Sequence, residues 1–202
     1  MARGDTYQFV GKYNCLDFVN TKFTKQGGCR IDPLRGFQEL IEWLCAARLI
    51  DRKHAQRALK LWGRGDAAAR VFQSGLALRE ALYSMAEKLS FQRPVPRTSL
   101  EAINRTIGKR PGCVLLARSS GRFEEKTRLD LKDPDQLLVP IAQSASDLLC
   151  QGDFALVRRC ANPACRAFFY DTSKNHTRRW CSIGCGNRMR VAAHYRRSRA
   201  AA

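Results

Sequence analysis

Four cysteines near the C-terminus place the strongest constraint on what this 202-residue chain can become. They read Cys160-x4-Cys165, then fifteen intervening residues, then Cys181-x3-Cys185. Two short-spaced pairs joined by a loop can converge on one tetrahedral ion, each pair supplying two adjacent corners. Thiolate softness and the lack of an obvious carboxylate ligand favour zinc, and neither of the common iron–sulfur spacings is present. With all four positions filled by protein, the expectation is one structural Zn2+ closed to substrate. Pro163 and Ala164 suit a tight knuckle between the first two cysteines. Residues 168–170 read as a compact apolar strand, 171–175 as a turn and 178–181 as a return strand. So small a unit has almost no core of its own, so metal binding should supply much of its folding free energy. His176 and His194 are each flanked by basic residues and fall outside the paired spacing, so they read as surface groups rather than ligands.

The other five cysteines (Cys15, Cys29, Cys45, Cys113 and Cys150) are scattered singly and read as small buried hydrophobes. No apolar run approaches the roughly 20 residues of a membrane-spanning helix. Residues 1–8 lack the apolar stretch of a secretory signal. A cytoplasmic chain with reduced thiols is expected, which leaves disulfides out of the account. The formal net charge is +18, and it is unevenly spread. Residues 158–202 hold 11 Lys and Arg against one acid, Asp171, while the first 157 residues hold 25 against 17. That density favours a polyanion, through neutralised phosphates and released counterions.

Upstream of the cysteines the pattern is mainly helical. Leu16, Phe18 and Val19 fit a strand or a first helical turn equally well, and Gly27-Gly28 marks a loop. Asp32-Pro33 predicts a helix start, with Leu34, Phe37, Leu40, Ile41, Leu44 and Cys45 at helical spacing to about residue 47. Further helices are expected over 52–61, 66–89 and 99–107, the last closed by Pro111-Gly112. Residues 113–116 and 123–131, joined by a polar turn at 119–121, predict a β-hairpin. Asp133-Pro134 then starts a helix carrying Leu137, Ile141, Ala145, Leu148 and Leu149 on one face. The expected class is α+β: a mostly helical domain over residues 1–155 with one β-hairpin, then a small zinc module over 156–202 ending in a basic helix.

That helix should follow Cys185. Arg190, His194 and Arg197 would share one face and Arg188, Ala192, Tyr195 and Arg199 another, with Met189 and Val191 as packing contacts. Arginine rather than lysine suits bidentate phosphate or guanine contacts. The candidate nucleic-acid contacts are Lys174, Arg178, Arg179, Arg188, Arg190, His194, Tyr195, Arg196, Arg197 and Arg199. Double-stranded DNA is the favoured partner. RNA is the alternative, because Tyr195 and Trp180 could stack on bases.

The segment Cys185-Gly186-Asn187-Arg188, together with residues 160–165, 171–175 and 178–182, resembles the CGNR zinc-finger family. Residues 16–21, 32–34, Trp43-Leu44 and 78–81 resemble the ABATE domain that commonly precedes that finger. The resemblance implies a bacterial, stress-related transcription regulator, with a treble-clef-like finger for DNA and a cytoplasmic, nucleoid-associated location. Here three residues separate Cys181 from Cys185, where many members place four. In a regulator the larger domain should sense a ligand, form a homodimer, or both. Asp17, Asn20 and Arg79 are polar residues beside apolar runs that would suit a small-molecule effector pocket; caps and buried ion pairs account for such residues equally well. His176, Asn187 and His194 are the only raw material for a nuclease-type ion, and no paired carboxylate joins them, so no enzyme is expected.

Overall fold

The computed structural model describes residues 7–24, 30–110, 114–119, 122–127 and 133–200. The expectations resting on Gly27-Gly28, Cys29, 111–113, 120–121 and 128–132 lie outside these residues. The class is α+β and mostly helical, in the order α1 (Asn14–Val19), β1 (Phe23–Thr24), β2 (Arg30–Ile31), α2 (Phe37–Ala46), α3 (Arg52–Trp62), α4 (Asp66–Ser90) and α5 (Arg97–Ile107). Then follow β3 (Val114–Ser119), β4 (Arg122–Thr127), α6 (Val139–Gln151), β5 (Val157–Arg159), β6 (Phe168–Tyr170) and α7 (Ile183–Ala200). The expected hairpin is β3–β4, in antiparallel register from Val114 opposite Thr127 to Ser119 opposite Arg122. Two short antiparallel ladders, β1–β2 and β5–β6, accompany it.

The apolar segment at Leu16–Val19 resolves as helix, because it is buried on every side. Cys15, Leu16, Asp17, Phe18 and Val19 are all buried, packed among α2, α4 and α6. A strand there would have needed a partner edge for its backbone, which a helix satisfies internally. Around it Leu40, Ile41, Trp43, Leu44, Leu82, Met85, Ile141 and Leu148 form one core, and Phe18 meets Trp43 at 4.8 Å between ring centroids.

Two helix starts differ from expectation. Helix α2 begins at Phe37 rather than after Asp32, with Gly36 as its N-cap. The Asp32 carboxylate is spent elsewhere: it accepts from the Leu34 N–H at 3.2 Å and from both terminal nitrogens of Arg79 at 2.9 and 2.5 Å. The helix expected from Pro134 is split into a 3-10 turn, Pro134–Leu138, and α6 from Val139. Pro140 lacks the N–H that would bond back to residue 136, so the preceding turn tightens instead of continuing as α-helix.

The cysteine-bearing segment shares the body's core. Val157, Phe168 and Tyr170 of the β5–β6 ladder are buried in the same apolar cluster as the helices. Tyr83 of α4 meets Phe168 edge-on at 5.5 Å and Tyr13 meets Tyr170 at 5.2 Å. The other side of the finger keeps a small cluster of its own, Cys160, Ala167, Phe169, Cys181 and Cys185, and the ladder borrows the rest of its core from the body. Residues 178–181, expected as a return strand, form none; β6 pairs with β5 instead. The Arg178 N–H is bound by Asp171 Oδ2 at 2.8 Å and is lost to any ladder.

Candidate metal centre and nucleic-acid interface

The knuckle forms because Asn162 satisfies the chain as it reverses. Its Oδ1 accepts from the Ala164 N–H at 3.1 Å and its carbonyl from the Cys165 N–H at 2.9 Å. The Cys160 N–H then closes onto the Ala167 carbonyl at 2.8 Å, bringing Cys160 and Cys165 together. The second pair is set by the start of α7. Ser182 is the residue before the helix, and its Oγ accepts from the Cys185 N–H at 3.3 Å, the geometry of an N-terminal cap. The helix thus starts at Ile183, ahead of Cys185 rather than after it. The three-residue spacing is accommodated by this cap, with Cys181 just outside the helix and Cys185 in its first turn. The Ala161 N–H to Arg179 carbonyl bond, 2.9 Å, ties the second pair to the first.

The four sulfurs lie within 4.8 Å of one another, and Cys181 Sγ is 3.6 Å from both Cys165 Sγ and Cys185 Sγ. Four thiolates at about 2.3 Å from a tetrahedral zinc stand about 3.8 Å apart, so the cluster has the dimensions of a ZnS4 site. The Cys160 sulfur also accepts from the Cys181 N–H at 3.5 Å, and one divalent cation would hold all four sulfurs as thiolates. Cys160, Cys165, Cys181 and Cys185 therefore hold one structural Zn2+, and among the described residues no other group of possible ligands converges in this way. His176 places its Nδ1 3.2 Å from the Asp171 carbonyl, Asn187 Oδ1 accepts from Arg190 at 2.5 Å, and His194 lies against Tyr195. These three residues form no ion site.

Two of the expected nucleic-acid contacts are committed to the finger. Arg188 Nη2 donates to the Cys185 sulfur at 2.9 Å, which offsets the negative charge of a four-thiolate site. Arg178 lies 4.4 Å over the Phe169 ring and donates to the Tyr170 carbonyl at 2.9 Å. Sequence reasoning missed the residue that gathers this loop, Asp171. It is fully buried, accepting from Ser173 N at 3.0 Å, Ser173 Oγ at 2.6 Å and Arg178 N at 2.8 Å. Burial pushes its carboxyl up, but these bonds outweigh burial and hold it below the usual carboxylate range. Its standing as the single acid among 11 basic residues was the available signal. Gly186 is explained by close approach, since a Cβ there would stand 3.3 Å from the Trp180 ring.

Helix α7 is 18 residues, about 27 Å, long. Gly186 is buried, and Met189 and Ala193 are half-buried on the inner face; Val191, expected to pack, is 54% exposed. The i, i+3, i+7 spacing of 186, 189 and 193 selects that face, and Val191 falls on the opposite one. Residues 194–199 are all exposed. Arg196, Arg197 and Arg199 have no partner among the described residues, and Arg190 bonds only to Asn187 one turn back. Lys174 and Arg179 are also exposed, and Arg179 sits 5.6 Å from the Trp180 ring.

The three residues proposed for a pocket have partners inside the fold. Asp17 Oδ1 accepts from the Gly11 N–H at 2.7 Å, and burial pushes this carboxyl up to about 6. Asn20 uses both ends of its amide on one residue 148 positions away: Nδ2 donates to the Phe168 carbonyl at 2.7 Å, and Oδ1 accepts from the Phe168 N–H at 2.8 Å. Arg79 bridges Asp32 and the Thr21 hydroxyl, the latter at 2.9 Å. Asp17 and Asn20 hold the segments that flank the zinc site, since Gly11 in turn accepts from the Tyr170 N–H at 3.1 Å. Of the scattered cysteines, Cys15 is fully buried and its thiol is pushed up to about 12 by desolvation, Cys45 is half-buried and Cys150 exposed.

Comparison with known proteins agrees with this architecture. Residues 14–152 match the model of the ABATE family, described as "Putative stress-induced transcription regulator". Residues 157–198 match that of the CGNR zinc finger. A comparison with individually curated proteins finds no match. The chain belongs to the ABATE family and carries a CGNR zinc finger at its C-terminal end.

Proposed function

We propose that this chain is a zinc-supported transcription regulator that binds double-stranded DNA through α7, with residues 156–202 as the reading head and 1–155 as a sensing or dimerising body. The observation that carries the reading is the helix itself. It is fixed at its first turn by a zinc ligand, and beyond that it presents Arg190, Arg196, Arg197 and Arg199 to solvent with no acid along its length. A helix anchored at one end and basic along its exposed length fits a groove, where phosphate contacts set position and base-edge contacts set sequence. Arg188 and Arg178 hold the finger together rather than reach the partner. The protein is a binder rather than an enzyme, because four protein ligands close the coordination of the metal. Its place is the cytoplasm, on the nucleoid, where such a partner lies.

Titrating zinc-loaded protein against random duplex DNA across a salt series tests this. If Arg190, Arg196, Arg197 and Arg199 each neutralise one phosphate, log K falls by about 3.6 per tenfold rise in salt, at about 0.9 per phosphate. Replacing Arg196, Arg197 and Arg199 with alanine should flatten that slope by about 2.7. A slope unaffected by those substitutions would sink the proposal for α7. Tighter binding to structured RNA than to duplex DNA, lost on Tyr195→Ala, would move the reading to RNA, because Tyr195 is 66% exposed and free to stack.

A further inference from the structure

A cavity of about 280 Å³ opens where the end of α1 and the side of α4 face the Cys165–Arg166 loop. It lies just below the roughly 300–1,000 Å³ range of small-molecule sites, the size for a small ligand. Its wall carries three cations, Lys22, Arg79 and Arg166, against one acid, Glu80. Lys22 Nζ stands 3.7 Å from Glu80 Oε1, so those two charges largely offset each other. What remains is cationic and under-used. The Arg79 side chain is 5% exposed and spends its terminal nitrogens on Asp32 and Thr21, yet its buried Nε–H has no acceptor among the described residues. A buried donor without an acceptor is a standing cost that an anion's oxygen would remove. Arg166 is exposed, and no ion pair holds it among the described residues. The apolar part of the wall is Val19 with two aromatics, Tyr83 and Phe168, which meet edge to face at 5.5 Å.

We propose that this cavity binds a small aromatic carboxylate, its ring against Tyr83 and Phe168 and its carboxylate toward Arg79 and Arg166. The site is independent of what α7 binds. It has a built-in consequence, because Cys165 is both a zinc ligand and part of the same wall. A ligand bridging α4 to this loop restrains the metal-bearing knuckle, so occupancy slows zinc loss.

The test uses full-length zinc-loaded protein, with benzoate as the probe and benzamide as its neutral counterpart of the same shape. Amide chemical shifts are followed by NMR during titration, and zinc transfer to a chelator is timed with and without benzoate. Saturable shifts at Asn20, Glu80 and Arg166 are expected, with slower zinc transfer. Affinity should fall about tenfold in Arg166→Ala, the loss of one charge-assisted hydrogen bond, and a similar loss is expected for benzamide. Lys22→Ala, also exposed, serves as a second variant, and the spectrum of each variant reports whether it remains folded. No saturable shift, shifts confined to the α7 arginines, or equal binding by benzamide would overturn the proposal.

Discussion

Asn20→Ala is the most informative single change, because it separates a structural role for this residue from a ligand-binding one. The side chain is 3% exposed and its amide makes both hydrogen bonds to Phe168, at 2.7 and 2.8 Å. Alanine leaves the N–H and carbonyl of the buried Phe168 without these partners. An unsatisfied buried group costs about 1–3 kcal/mol, so the pair should cost about 2–6 kcal/mol. For a chain of this size each kcal/mol moves Tm by about 2–4 °C, so a fall on the order of 10 °C is expected. Because Phe168 lies three residues past the zinc ligand Cys165, zinc transfer to a chelator should quicken as well. Thermal unfolding of the zinc-loaded protein, followed by circular dichroism, reads the first effect, and a chromogenic chelator reads the second. Asn20→Asp should be worse than alanine, since a carboxylate cannot donate to the Phe168 carbonyl and adds a buried charge. An unchanged Tm in both variants would refute the clamp.

Three further outcomes follow from the geometry. Cys181→Ser should abolish stoichiometric zinc and lower helicity, because Cys181 touches two of the three other sulfurs and precedes the cap of α7; full zinc retention on metal analysis would refute it. Arg188→Ala should weaken zinc binding by about 10–100-fold with the spectrum of the body unchanged, the usual penalty for losing a bond to a metal ligand, and competition with a chelator measures it. The Asp17 carboxyl is raised by burial to about 6, so the fold prefers it protonated; its contribution is full below the unfolded value near 4 and is lost as pH rises through about 6. Relative to Asp17→Asn, the wild type should therefore lose up to about 3 kcal/mol between about pH 4 and about pH 7, and a pH-independent difference in urea unfolding would contradict this.

What could be read along the chain was what short spacing encodes. The four cysteines announce a tetrahedral site because ligand pairs with three or four residues between them converge locally, and the long apolar periodicities of α4 and α6 announce helices for the same reason. The existence of the β3–β4 hairpin was likewise legible in its local pattern, though not its register or strand bounds. Pro140 carried a local signal too, since its missing N–H is visible in the sequence, and it divides the helix expected from Pro134. The uneven charge marked the C-terminal end as the basic one, although it could not say that Arg178 and Arg188 are occupied by Tyr170 and Cys185.

The sequence by itself determined the zinc ligands, the helical class of the body and the basic tail helix. Tertiary structure decided the roles of Asp17, Asn20, Asp32, Arg79 and Asp171. It also decided that β6 pairs with β5 rather than with residues 178–181, and that the cysteine-bearing segment shares the body's core. The reason is range. A polar residue beside an apolar run carries no mark of its partner, and Asn20 finds Phe168 across 148 residues only after α1, α4 and β6 have packed. The hydrogen-bonding groups themselves are ordinary; the cost of leaving them unpaired once water is excluded is what selects the arrangement.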